Sequence, residues 1–292
     1  MAENTEKTLP KKMIYETDIC SDVDDVGALA VLNALADGGE VEILAVSFNE
    51  VHPSGANAIR AINTWYNRGE IPVGIYKGDL TDPDPSRYLD KVANFPQDPP
   101  SVEVPSSLEL YQQVLREQPD NSVTIISVGF LNNLYDLLKA DPDLISQKVT
   151  ELVVMALLID DPFNTRQHNL VDKSAYVIHN WPTLLVISQH GETVHTGLRL
   201  AEAPFENPVR EAYCQYFGGS YGERSSWDQL AVLYGVRGLG DYFAEITEGS
   251  GRLSNGYEWE MQPGFRSYLD PLLSDSELAD IIEDLMVKPP RR

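Results

Sequence analysis

The chain has 292 residues, enough for one large α/β domain or two small ones, and 42% apolar with 23% charged residues fits a globular protein. The 45 acidic residues outnumber the 22 basic ones, leaving a net charge of −23; this field disfavours nucleic acid and anionic membranes and favours cations and neutral or cationic small molecules. Cys20 and Cys214 lie far apart and read as reduced thiols, residues 1–12 lack the apolar core of a signal peptide, and no 18 apolar residues run together, so a cytoplasmic protein without a membrane span is expected.

A single domain is expected over residues 13–287, with flexible tails at 1–12 and 288–292. Residues 13–17 are a short apolar run ending in polar and acidic residues, the pattern of a first strand. The spacing of Val26, Leu29, Ala30, Leu32 and Leu35 predicts a helix over 25–36 with Asp24 as its N-cap. Residues 41–47 read as a second strand, 55–66 as a second helix and 72–76 as a third strand. The Pro- and Asp-rich stretch 77–105 reads as a long surface excursion. A helix over 108–117, a buried strand over 123–128, a break at Gly129 and a helix over 131–140 follow. Buried-strand signatures recur at 152–158 and 183–188, and helices are expected near 208–217, 226–234 and 275–286. Strands alternating with helices imply right-handed crossovers and an open, mainly parallel sheet flanked by helices. Ligands of such sheets sit beyond the carboxyl ends of the strands.

The run Asp18-Ile19-Cys20-Ser21-Asp22-Val23-Asp24-Asp25 falls at such an end. Four carboxylates on one strand-to-helix turn repel one another unless protons or a cation neutralise them. The charged donors are all oxygen, so a hard divalent ion is favoured over zinc. An acidic helix N-terminus accounts for Asp24 alone but not for four acids. The spacing does not fit an EF-hand loop, which needs Gly at its sixth position and Glu at its twelfth. Asp22 reads either as an extra ligand or as a turn acid, and Cys20 as a turn residue.

From this point the chain resembles the inosine-uridine type nucleoside hydrolases. Glu16-Thr17-Asp18 and Asp24-Asp25-Val26-Gly27-Ala28-Leu29 match the start of their signature, with a longer turn similar to a divergent branch reading Asp-Ile-Gly-Ser-Asp-Val-Asp-Asp. Ser127-Val128-Gly129-Phe130-Leu131-Asn132-Asn133 resembles the Gly-x-Leu-Thr-Asn segment, and Ser226-Trp227-Asp228-Gln229 the start of the late helix. The resemblance implies a hydrolase of the N-glycosidic bond of ribonucleosides that uses Ca²⁺, acts as a homodimer or homotetramer and takes a small-molecule substrate. It makes Asp18, Asp25, Asp228 and the Val128 carbonyl the metal ligands, with Asp18 also the base that activates water. Asp24 and Asn49 would hold sugar hydroxyls. Asn169, in Gln167-His168-Asn169, matches the Asn of a Glu-Phe-Asn motif that grips the ribose.

The departures bear on the substrate wall. Gln167 stands where the family has Glu, His168 replaces an aromatic, and Trp227 stands where some members have a His that protonates the leaving base. Among the five histidines, His168 is the one placed in the pocket, as a substitute general acid. Tyr213, Tyr216, Phe217 and Tyr221 read either as a mobile element near the pocket or as ordinary helix packing. Two other functions stay open. One is a repurposed enzyme acting on another polyhydroxylated or cyclic-ether small molecule; the other is a non-catalytic metal- or small-molecule-binding protein.

Overall fold

The computed structural model describes residues 9–100 and 103–291. In chain order its elements are β1 (Lys11–Thr17), α1 (Asp24–Asp37), β2 (Val41–Phe48), α2 (Gly55–Trp65), β3 (Val73–Ile75), α3 (Leu89–Val92), α4 (Ser107–Arg116), β4 (Val123–Ser127), α5 (Asn132–Ala140), α6 (Pro142–Lys148) and β5 (Val149–Met155). The second half adds α7 (Val171–Asn180), β6 (Leu184–Ser188), β7 (His195–Thr196), α8 (Pro208–Tyr216), β8 (Arg224–Ser225), α9 (Trp227–Arg237), β9 (Phe243–Ile246), β10 (Ser250–Arg252), β11 (Glu258–Glu260), β12 (Arg266–Pro271) and α10 (Asp275–Met286). Lys11 and Lys12, expected in the N-terminal tail, belong to β1; the rest of that expected tail, residues 1–8, lies outside the described residues apart from Leu9 and Pro10. Near the C-terminus the Arg291 backbone N–H donates to Asp37 and its carbonyl accepts from Asn67.

Eight strands form one sheet in the order β3-β2-β1-β4-β5-β6-β12-β9, parallel throughout except for the β12–β9 pair. Period-two alternation divides the side chains between two cores, because both faces are covered. Met13 and Tyr15 of β1, Ile126 of β4, Val153 of β5 and Val186 of β6 pack with α1, α2, α8, α9 and α10. Ile14, Ile125, Leu152, Val154, Leu185 and Ile187 pack the other way, against α4, α5 and α7. Helix α1 is buried from Asp24 to Leu35, as a helix apolar on all sides must be when it lies between a sheet and other helices. At Gly27 a Cβ would lie 2.5 Å from Gln229 Nε2 and 2.6 Å from the Tyr213 hydroxyl, so glycine lets α1 approach α8 and α9.

Strand order reverses between β1 and β4. Loops leaving neighbouring strands there diverge to opposite faces and open a crevice, the usual ligand position in such sheets.

Candidate functional site

The first functional side chains are delivered at the carboxyl end of β1. Thr17 ends the strand and its hydroxyl donates to Asp25, while Tyr15 donates to the Asp25 backbone carbonyl. These contacts fold the turn back so that α1 starts with two acids, Asp24 and Asp25, facing inward. Across the crevice α9 begins at Trp227 and places Asp228 in its first turn. One carboxylate oxygen from each of Asp24, Asp25 and Asp228 lies within 4.8 Å of the others, and all three residues are buried. The sequence expectation had Asp18 in this set and Asp24 on the sugar; the convergent three include Asp24 instead. Asp18 is partly accessible and its carboxyl lies against that of Asp25.

Burial raises the pKa of all four acids, and their mutual repulsion raises them further. Asp18 is pushed up to about 8 by desolvation, with the charges of Asp84 and Asp24 adding to it. Asp24 is raised by desolvation and by Asp22 and Asp25, and Asp25 by desolvation and by Asp18. Asp228 is raised by desolvation and by Asp24, Asp25 and Asp18. A set of buried oxygen donors that must bind either protons or a cation fits a hard divalent ion.

These acids line a cavity of about 150 Å³, together with Val128, Asp161, Phe163, Asn164, Gln167, Arg224 and Trp227. A larger cavity of about 560 Å³, lined by Trp65, Phe95 and several prolines, has Glu206 as its one charged side chain and no convergent polar set; the chemistry therefore points to the smaller one. Val128 reaches the cavity because Gly129 follows it. A Cβ there would lie 2.5 Å from the Asp18 backbone nitrogen and 2.7 Å from both Asp18 Oδ1 and Asn49 Oδ1.

Several expected sugar contacts lie elsewhere. Asn49 is fully buried and does not line the cavity; its Nδ2 donates to the Phe130 carbonyl at 2.8 Å and its own carbonyl accepts from Asn132. It braces the turn after β4. Gln167 lines the cavity, but its amide donates to both Asp84 oxygens, at 2.7 and 2.8 Å. His168 packs edge-on against Phe130, holds the Thr81 carbonyl through Nδ1 at 2.7 Å, and turns Nε2 toward Glu50, 3.7 Å away. Asn169 is exposed at φ 60° and donates to the Thr81 hydroxyl. All three side chains hold the 77–88 loop, and His168 and Asn169 are absent from the cavity lining.

The sequence reading missed Asp161, Phe163, Asn164 and Arg224. Asn164 Nδ2 lies 2.7 Å from the Val128 carbonyl and 3.1 Å from that of Met155, so it fixes the cavity floor. Asp161 accepts from the Leu157 and Phe163 backbone N–H groups, both at 2.7 Å, and orders the loop that carries Asn164. The dipeptide Phe163-Asn164 was the available signal, because it repeats the Phe-Asn half of the Glu-Phe-Asn motif five residues before Asn169. Asp22 accepts from Arg224 and is a paired turn acid. Cys20 donates to the Asp84 carbonyl at 3.2 Å, and burial pushes its thiol far up, so it remains an unreactive thiol.

The architecture and cavity define a doubly wound α/β fold with an acidic cavity at its topological switch. No family model and no curated protein matches the chain. Among solved structures it is similar to the inosine-uridine preferring nucleoside hydrolase of Bacillus anthracis, with 17% identity, a TM-score of 0.68, and coverage of 94% of this chain and 99% of that one. A plant nucleoside hydrolase matches with 15% identity and a TM-score of 0.70 over 96% of this chain and 100% of its own. The type III effector protein XopQ, solved in complex with adenosine diphosphate ribose, matches with 13% identity and a TM-score of 0.67 over 96% and 93%. The fold is that of the nucleoside hydrolases. Among the described residues no helix is long and apolar enough to cross a membrane.

Proposed function

We propose that this chain is a Ca²⁺-dependent hydrolase of the N-glycosidic bond of ribonucleosides. The observation that carries this reading is the convergence of Asp24, Asp25 and Asp228 in a cavity that Asp18 also lines. The nucleoside hydrolase fold supports it. Asp24, Asp25 and Asp228 would hold the cation, and the Val128 carbonyl could add to them, since it accepts from Asn164 but keeps a second lone pair. When bound, a divalent cation supplies charge neutralisation and makes a nearby water more acidic.

The chain's own groups do the rest. Asp18, ionised once the cluster's charge is balanced, takes a proton from water as the water oxygen bonds to the anomeric carbon. The carbon–nitrogen bond breaks, its electron pair leaves with the base, and the base takes up a proton. The surrounding carboxylates stabilise the positive charge that develops on the sugar ring. In this reading Asp24 and Asn164, which line the cavity, would orient hydroxyls, and Phe163 and Trp227 would flank the base. No histidine lines the cavity, so the base leaves toward solvent and is protonated from water.

The same site acting on another polyhydroxylated small molecule is a second reading. It is favoured by the absence of Asn49, His168 and Asn169 from the lining. Incubation with Ca²⁺ and inosine, uridine, adenosine or cytidine, followed by measurement of free reducing sugar, separates the two. Release that an Asp18→Asn variant abolishes supports the nucleoside reading. No release above that variant, with calcium still bound, contradicts it and leaves the second.

A further inference from the structure

The three convergent carboxylates come from two separate segments, Asp24 and Asp25 from the β1–α1 turn and Asp228 from the start of α9. Buried like charges push those segments apart. One contact beside the cavity spans the same two segments. Asp22, just before Asp24, and Arg224, just before α9, are 202 positions apart, yet Arg224 Nε lies 2.8 and 3.0 Å from the two Asp22 oxygens and Nη2 donates to Oδ2.

Neither end of this fork is a free side chain. Asp22 Oδ1 also accepts from the Val23 backbone N–H at 2.7 Å, and the Asp22 carbonyl accepts from the Tyr88 hydroxyl. Arg224 sits in β8, paired with β7. A planar guanidinium holding one carboxylate through two nitrogens fixes direction as well as distance, which a lysine cannot do.

We propose that the Asp22–Arg224 pair is a positioning clamp that sets the gap between Asp24, Asp25 and Asp228, and through it the affinity for a divalent cation. The clamp rests on the cation-site reading above. It competes with a plain electrostatic role, and the two differ in sign. Arg224 is a positive charge beside a cation site, so charge alone makes its removal tighten calcium binding. The clamp makes the same removal weaken it.

Calorimetric titration of Ca²⁺ into the wild type, Arg224→Met, Arg224→Lys, Asp22→Asn and the double variant Asp22→Asn/Arg224→Met decides between them. Partners one step removed from metal ligands set affinity by roughly 10–100-fold, and each variant is expected to bind at least about tenfold more weakly. The double variant is expected to be no worse than either single, because each removes the same contact. Half-exposed pairs add little to global stability, so thermal midpoints in chelator are expected to stay close to the wild type. Arg224→Lys keeps the charge and serves as the test if Arg224→Met does not fold. Calcium binding by Arg224→Met or Arg224→Lys that equals or exceeds the wild type overturns the clamp alone, as do additive losses in the double variant. A wild type that binds no calcium overturns the cation-site reading along with it.

Discussion

Glu16 lies on β1 two residues before Asp18, wholly buried among Asn133, Tyr111, Asn49 and Ser127, and burial pushes its carboxyl from 4.5 up to about 8. The folded chain therefore keeps a proton that the unfolded chain releases. The associated stability is present below pH 4.5 and is lost as pH rises toward about 8, with a slope of about 1.4 kcal/mol per pH unit for one proton. Chemical denaturation in chelator across this window is expected to show a shallower decline for Glu16→Gln than for the wild type; equal slopes would refute the assignment. Asn164 presents a different case, since it donates to two buried carbonyls. Asn164→Leu leaves both without their partner, and urea denaturation is expected to show a loss of about 1–3 kcal/mol. Asp24 and Asp25 stood out in the sequence because four acids crowd one strand-to-helix turn, and Asp228 only through the resemblance of Ser226-Trp227-Asp228-Gln229 to a helix start; that Asp24 faces Asp228 was not legible, because it depends on how α1 and α9 meet. Nor was Asn164, because its role depends on a loop that Asp161 ties back through backbone amides, and a single asparagine carries no periodicity.

Helix α1 was legible, as were β1, β2, β4 and β6, because their apolar spacing matches burial on one or both sides. The structure lengthens α1 by one residue at each end, to Asp24 and Asp37. The strand read over 152–158 is Val149–Met155; Thr150 and Glu151 interrupt the apolar run although their backbone belongs to the ladder. The 77–105 excursion hides α3 behind its prolines and acids, yet Tyr88, Leu89 and Val92 are buried in the main core. Strands β9 to β12 are short, alternate with exposed residues and gave no pattern strong enough to read. At this scale the approach of α1 to α8 and α9 is a close one. Gly27→Ala crowds Gln229 and Tyr213 and is expected to cost about 1–3 kcal/mol in thermal or urea unfolding. No loss would mean that the helices separate freely.

Across the whole molecule the sheet brings together turns that are distant in sequence, between β1 and β4, where the order of the parallel strands reverses. The fold class followed from alternating strands and helices, but which loops meet at the cavity depends on pairings that no local pattern encodes. The net charge of −23 strains the compact state by self-repulsion, so the melting temperature without divalent ions is expected to rise as sodium chloride is added, and an unchanged value would argue against that strain. Four raised carboxyl groups in one cavity make a sharper demand. Burial and mutual repulsion shift Asp18, Asp24, Asp25 and Asp228 toward their protonated forms, Asp18 up to about 8, and a cation competes with those protons. Calcium calorimetry at pH 7 in two buffers of different ionisation enthalpy measures this directly. One Ca²⁺ per chain, bound with proton release, more tightly at higher pH and abolished by Asp228→Ala, is the predicted result. Absence of binding, or binding without proton release that survives Asp228→Ala, would contradict the account.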